Sequence, residues 1–324
     1  MSQSVSKIDV VVRRIDVEAT DVVSFELQRA GGGVLPAFTA GAHVDVDMGN
    51  GINRSYSLVN SQHETHRYVI AVNLDRNSRG GSRYMHEHVM VGDQLSITAP
   101  SNNFPLDEEA PHSVFIAGGI GITPVWSMIQ RLTALGRSWE LHYACRAAEF
   151  TAFLGPISDA AKVLGCKVHT HLDAEANGEF LDLAQIVGSA AAGSVFYCCG
   201  PAPMLDAYKL ATKGLPAERA RLEHFGAATP GNGAPGAEFT VVLERSGKEF
   251  RVKEGVTILE TLLKHGISQN YSCTQGVCGT CETRVLDGIP DHRDWVLSDA
   301  KKASNKTMLI CCSLSKTERL VLDI

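Results

Sequence analysis

Nine cysteines stand at Cys145, Cys166, Cys198, Cys199, Cys273, Cys278, Cys281, Cys311 and Cys312, and the first 144 residues hold none. Three follow the pattern Cys273-x4-Cys278-x2-Cys281, with Cys311 further along the chain. An x4 then x2 spacing with a distant fourth cysteine is that of plant-type [2Fe–2S] sites. Iron favours soft thiolates, and two irons sharing bridging sulfides need four terminal ligands. A tight loop can supply three, and the fourth closes the cage. Gly276 and Gly279 let such a loop curl and turn its N–H groups towards the sulfurs, contacts that tune the potential. A structural zinc site would show two separate short-spaced pairs, and a CxxC redox pair would leave Cys273 unused. Of the vicinal pair, Cys311 is expected to be the ligand. Neighbours on a strand face opposite sides, so Cys312 is expected to pack as a small hydrophobe. Cys145, Cys166 and Cys198 lie in apolar runs and are expected in the core.

Four further segments carry binding chemistry. In Arg54-Ser55-Tyr56-Ser57-Leu58, a guanidinium and hydroxyls suit a phosphate or ribityl chain, and a tyrosine ring can pack on an isoalloxazine. Arg79-Gly80-Gly81-Ser82 precedes a short helical segment, and glycine turns that open helices bind phosphate through free N–H groups. Gly118-Gly119-Ile120-Gly121-Ile122-Thr123-Pro124 follows an apolar run. It departs from G-x-G-x-x-G because Pro124 replaces the last glycine, but it keeps a glycine turn at a strand end. Cys199-Gly200-Pro201 ends another apolar run. Both turns would fall at the carboxyl ends of strands, where open α/β sheets bind ligands. Each segment also has a plain reading, as an exposed strand or an ordinary tight turn. His292-Arg293-Asp294 does not continue as a kinase catalytic loop, since Trp295 and Asp299 break the pattern. His169 and His171 face one way on a strand but lack a carboxylate or cysteine at ligand spacing, so they are assigned no metal.

The elements that must position these residues change along the chain. Residues 8–12, 22–27, 43–47, 55–59 and 68–72 read as strands with one short helix near 82–88, which predicts a small antiparallel barrel. From 113 onward, strands at 113–117, 139–144, 166–172 and 195–199 alternate with helices, the first at 124–135, which predicts βαβ units and a parallel sheet. Residues 229–237, TPGNGAPGA, read as a linker. A hairpin at 239–243 and 248–252 around Ser246-Gly247 follows, and then a helix at 257–265. The expected division is a flavin barrel at 1–105, a nicotinamide domain at 106–228, the linker, and an iron–sulfur domain at 238–324.

The order RSYSL, RGGS, GGIGITP, CCGP, HFG and CxxxxCxxC resembles the phthalate dioxygenase reductase and vanillate demethylase reductase family over essentially the whole chain. The flavin and nicotinamide parts alone resemble the wider ferredoxin–NADP reductase superfamily. The resemblance implies FMN at Arg54, Tyr56, Ser57, Gly81 and Ser82, and a pyridine-nucleotide turn at Gly118, Gly119 and Gly121. It implies Thr123 beside both rings, Cys199 by the nicotinamide and Phe225 near the flavin. It also implies a C-terminal β-grasp ferredoxin domain, with residues 291–299 as its loop. Asp173 could accept a hydrogen bond from the adenosine ribose, which favours NADH over NADPH. The implied activity is electron transfer from NADH to FMN to [2Fe–2S] to a Rieske-type terminal oxygenase. Rival readings are another acceptor, such as a cytochrome P450 or a separate ferredoxin, and a non-catalytic electron-transfer subunit.

A net charge of −6, with no basic segment, speaks against nucleic acid or an anionic membrane surface as partner. No run approaches a membrane span and no signal peptide is evident, so a cytoplasmic monomer is expected. Replacing Cys273, Cys278 or Cys281 by Ser should bleach the iron–sulfur absorption while leaving flavin-mediated dye reduction by NADH. Loss of the cluster signal in Cys312→Ser with retention in Cys311→Ser would reverse the choice of fourth ligand.

Overall fold

The computed structural model describes residues 7–49, 52–75, 80–176, 179–225 and 238–324. They fall into two compact units, one ending at Phe225 and one running to Ile324. Arg79 and the expected linker at 229–237 lie outside the described residues.

The first unit begins with β1 (Lys7–Ala19), β2 (Val22–Arg29), β3 (His43–Asp47), β4 (Asn53–Ser57), β5 (Tyr68–Asn73), α1 (Gly81–His88) and β6 (Gln94–Thr98). The strands pair antiparallel in the order β4-β3-β6-β1-β2-β5. An antiparallel bridge between Leu58, just after β4, and Ile70 of β5 joins the two ends, so the sheet closes into a barrel. Alternate residues of the strands, among them Val10, Val12, Phe25, Leu27, Val44, Val46 and Ile70, fill its interior.

The unit continues through β7 (Ser113–Gly118), α2 (Ile122–Ala134), β8 (Trp139–Cys145), α3 (Leu154–Leu164), β9 (Lys167–Leu172), α4 (Leu183–Ser189), β10 (Val195–Gly200), α5 (Ala202–Ala211) and β11 (Ala220–His224). All five strands are parallel, in the order β11-β10-β7-β8-β9. The order reverses between β7 and β10, which opens a crevice at their carboxyl ends. Ile122, Val125, Met128, Ile129 and Leu132 recur at helical spacing on α2 and are fully buried or nearly so. They share one core with Phe115, Leu141 and Tyr143 of the sheet and with Ala40, Val59 and Ala71 of the barrel. The Gln130 amide donates to the Val59 carbonyl at 2.7 Å and the Ser127 hydroxyl to the Asn60 carbonyl at 3.3 Å. The barrel and the parallel sheet are therefore packed as one compact body.

The second unit holds β12 (Phe239–Leu243), β13 (Lys248–Val252), α6 (Ile258–Lys264), β14 (Glu282–Asp287), β15 (Pro290–Asp291), α7 (Asp299–Ser304), β16 (Thr307–Leu309), β17 (Leu314–Ser315) and β18 (Arg319–Leu322). Its main sheet runs β13-β12-β18-β14-β16, with β12 and β18 parallel and the other pairs antiparallel. The hairpin turns over four residues, 244–247, rather than the two of Ser246-Gly247, with Gly247 left-handed at φ 65°. The helix starts one residue later than its sequence suggests because Thr257 caps it. The Glu260 N–H donates to Thr257 Oγ1 at 3.1 Å, and the Thr257 N–H donates to Glu260 Oε2 at 2.8 Å.

Gly121 shows how tightly the crevice is packed. A Cβ there would stand 2.1 Å from the Cys199 carbonyl oxygen, which is backbone and cannot swing aside. Gly121→Ala should destabilise the first unit by about 2 kcal/mol, lowering its melting temperature by roughly 4–8 °C for a body of this size. An unchanged melting curve by circular dichroism would contradict this packing.

Candidate active site and metal centre

The cysteine loop lies between α6 and β14. Cys273, Cys281 and Cys311 are buried and Cys278 is half-buried. Gly276 and Gly279 are left-handed at φ 74° and 82°. So is Thr274 at φ 55°, a β-branched residue in a conformation that costs about 1–3 kcal/mol. That strain buys a tight curl: the Gln275 N–H donates to Cys273 Sγ at 3.3 Å. The neighbouring Cys273 thiol, together with burial, pushes the Cys278 thiol well above its ordinary range. Thiols crowded in this way cannot all ionise without a cation between them. Four buried or half-buried soft donors and an N–H aimed at sulfur fit an iron–sulfur cluster.

Cys311 and Cys312 do not lie on a strand, as the sequence suggested, but in the turn after β16. The rule of opposite faces therefore does not separate them. The Cys311 side chain reaches that of Cys273. Cys312 is half-buried and lies across the loop, since a Cβ on Gly276 would meet its sulfur at 2.6 Å. Residues 291–299 pack on the same loop. The Trp295 N–H donates to the Gly276 carbonyl at 3.0 Å. The buried Asp294 carboxylate accepts from Val296 and Leu297 N–H groups at 3.1 and 2.7 Å.

On the barrel, Arg54 of β4 is folded over the start of α1. A Cβ on Gly81 would meet the Arg54 side chain at Cγ (2.7 Å) and Nε (2.8 Å). Gly80 caps this helix in the left-handed region at φ 96°, with no side-chain cap. A guanidinium beside a helix N-terminus is a cradle for an anion. Ser57, at the end of the same strand, is buried and its hydroxyl has no hydrogen-bond partner among the described residues, an unmet polar group of the kind a ligand satisfies. Tyr56 lies partly buried at the barrel core, and burial raises its hydroxyl pKa. The Ser82 hydroxyl accepts from the Asp75 N–H at 3.2 Å, so it shapes the turn before α1.

At the crevice, the glycines admit close neighbours that any side chain would displace. A Cβ on Gly118 would meet Pro201 at 2.6 Å, and one on Gly200 would meet Met204 Sδ at 2.6 Å. Gly119 is left-handed at φ 52° and faces open space. Thr123 is buried in the first turn of α2 and its hydroxyl donates to the Ile120 carbonyl at 3.0 Å. The Cys199 thiol is fully buried, which pushes its pKa well up. Cys145 also ends its strand here, with the Gly119 N–H and Asp173 near its sulfur, so it borders the crevice rather than serving the core alone. Cys166 stands just before β9 and is half-buried at the margin of the core. Asp173 is exposed at the end of β9 and its N–H donates to the Cys145 carbonyl at 3.0 Å. Phe225, 40% exposed, follows β11 directly.

A model of the 2Fe-2S iron-sulfur cluster binding domain matches residues 241–316. The chain is 65% identical to tetrachlorobenzoquinone reductase of Sphingobium chlorophenolicum, covering 100% of both chains. It superposes with a TM-score of 0.79 and 36% identity on phthalate dioxygenase reductase, a modular structure for electron transfer from pyridine nucleotides to [2Fe-2S], over 98% of each chain. The chain belongs to the phthalate dioxygenase reductase family. An intact type IV self-sufficient cytochrome P450 monooxygenase is similar too, at 35% identity and a TM-score of 0.80. This chain spans 41% of that enzyme.

In this member of the phthalate dioxygenase reductase family, one crevice residue escaped the sequence reading. Glu223 on β11 is in register with Cys199 on β10. Its Oε2 is buried without a hydrogen-bond partner among the described residues, and burial pushes the carboxyl pKa up to about 8. The only sequence signal is an acid inside a short strand, which looks like a solvated face. A carboxyl raised in the folded state favours folding fully below its ordinary value of 4.5, and that contribution is lost as pH rises through about 8. Glu223→Gln, which cannot ionise, should therefore gain thermal stability relative to the parent between pH 5 and pH 9. A stability difference independent of pH would show that the carboxyl titrates normally.

Proposed function

We propose that this chain is the NADH-dependent reductase component of a Rieske-type oxygenase system. Electrons pass from NADH through FMN and a [2Fe–2S] cluster to the oxygenase. The observation that carries this reading is one compact unit joining the Arg54–Gly81 anion cradle to a glycine crevice, in a chain that also holds the cysteine loop. When bound, the flavin takes two electrons with a hydride and releases them singly, which matches a two-electron donor to a one-electron cluster. The protein then has to bind, orient and keep water out, and no nucleophile is needed.

Arg54 and the N–H groups at Gly81 and Ser82 hold the FMN phosphate, Ser57 donates to the flavin, and Tyr56 packs beside it. Gly118, Gly119 and Gly121 leave room for the dinucleotide backbone, and Asp173 accepts from the adenosine ribose. Thr123 and Cys199 border the nicotinamide, and Phe225 lies near the flavin. Glu223, partly buried with its Oε2 shielded from solvent, holds a proton at its carboxyl near neutral pH and can donate it to the nicotinamide carboxamide. Cys273, Cys278, Cys281 and Cys311 hold the cluster. A plant-type cluster near about −400 mV is reducing enough for a Rieske centre at roughly −150 mV or above. The partner in this reading is an oxygenase component that carries a one-electron acceptor of higher potential. Nine unpaired cysteines fit a reducing compartment, and we place a monomer in the cytoplasm.

A second reading is direct reduction of a quinone, favoured by the 65% identity to tetrachlorobenzoquinone reductase. A quinone can take its electrons from the flavin, whereas an oxygenase needs the cluster. The holoprotein should contain FMN and iron, oxidise NADH faster than NADPH, and support turnover of a Rieske oxygenase. Cys273→Ser should abolish oxygenase turnover and spare quinone reduction. Fast quinone reduction with no transfer to any Rieske oxygenase would replace the first reading by the second.

A further inference from the structure

The two histidines of β9 gain in three dimensions the carboxylate that they lack in sequence. In the parallel sheet, His142 of β8 lies directly opposite His169 of β9. Their rings stack at 4.7 Å between centroids with 13° between planes. Glu140 stands two residues before His142, hence on the same face of the strand. Its Oε1 lies 3.4 Å from His142 Nε2. One ligand atom from each of Glu140, His142 and His169 lies within 4.8 Å of the others, the single such group of His, Cys, Asp or Glu among the described residues.

The setting is unusual for a covered sheet face. The register pairs Val114 with Glu140 and Ile116 with His142, so these side chains share a face. Val114 and Ile116 are buried under α4 and α5, with Leu183, Ile186, Leu205 and Tyr208. That apolar cluster draws on β7, β10 and β11 but on no residue of β8 or β9. Where the cover ends, the face turns to Glu140, His142 and His169, with His112 Nε2 3.9 Å from Glu140 Oε2.

We propose that Glu140, His142 and His169 form a binding site for one divalent cation of the zinc class. Two imidazoles and a carboxylate are the donor set that suits zinc, nickel or copper rather than magnesium or calcium. With bonds of about 2.0–2.1 Å, tetrahedral donors stand roughly 3.3 Å apart. The Glu140–His142 pair already meets that separation. His169 is exposed on an edge strand, so its ring can rotate the remaining distance, and the fourth position faces solvent. His112 can hold the second carboxylate oxygen, as partners of metal-bound carboxylates do. A bound cation would tie edge strand β9, whose end leads into Asp173, to β8.

The test is equilibrium dialysis of the intact holoprotein against micromolar zinc chloride, with zinc and iron measured together. Iron content reports whether zinc has entered the cysteine cage instead. The parent protein should take up about one zinc per chain with its iron unchanged. His169→Ala and His142→Gln should each lose that zinc, and His171→Ala should keep it. Copper(II) added to the oxidised protein should show resonance splitting from two nitrogen ligands, reduced to one in His169→Ala. No zinc uptake with iron intact, or uptake that survives both His169→Ala and His142→Gln, would overturn the site.

Discussion

The approach of the Gly121 backbone to the Cys199 carbonyl governs the first unit. In a parallel sheet whose strand order reverses, two strand ends and two turns compete for the same space. Only turns without side chains let β7, β10 and α2 converge there. Once α2 is seated, its opposite side meets the barrel, and Gln130 and Ser127 bond the carbonyls of Val59 and Asn60. Those carbonyls directly follow the Arg54–Leu58 segment. A single helix thus links the glycine crevice to the strand that carries the anion cradle. Relative placement of the two sites is set by packed backbone and needs no mobile joint.

The second unit solves a different problem. A cysteine loop has almost no regular hydrogen bonding of its own, and Thr274 holds it in a strained conformation. The compensation comes from residues 291–299, where a buried Asp294 gathers two N–H groups and Trp295 bonds back to Gly276. Lys302 also donates to the Asp294 carbonyl at 2.6 Å. An unpaired buried carboxylate would be costly, so this small polar network fixes the loop in one shape. The segment that resembles part of a kinase motif is therefore a brace for the cysteine loop.

Much of this was legible in the chain itself. The x4–x2 cysteine spacing, the glycine turns after apolar runs, and strands such as 43–47, 239–243 and 248–252 are local signals. They arise from side-chain period, turn chemistry and ligand count, which operate within a few residues. Helix starts differ from the sequence reading by one or two positions: Thr257 is the cap of α6 rather than its first residue, and α2 begins at Ile122, two residues before Pro124. The vicinal Cys311 and Cys312 lie in a turn rather than on a strand because the apolar run MLICC does not reveal where its backbone turns.

What the sequence by itself determined is the list of parts: an antiparallel barrel, a parallel sheet, a cysteine loop and the residue types suited to each ligand. Tertiary structure alone decided which parts meet. Arg54 and Gly81 come together only because the barrel closes through Leu58 and Ile70. Glu223 becomes an acid of raised pKa, with one carboxylate oxygen buried, only because β11 is laid against β10, beside Cys199. His142 and Glu140 reach His169 only through parallel strand register. Local periodicity fixes which way a side chain points, but burial and the identity of its neighbours depend on residues far away in the chain.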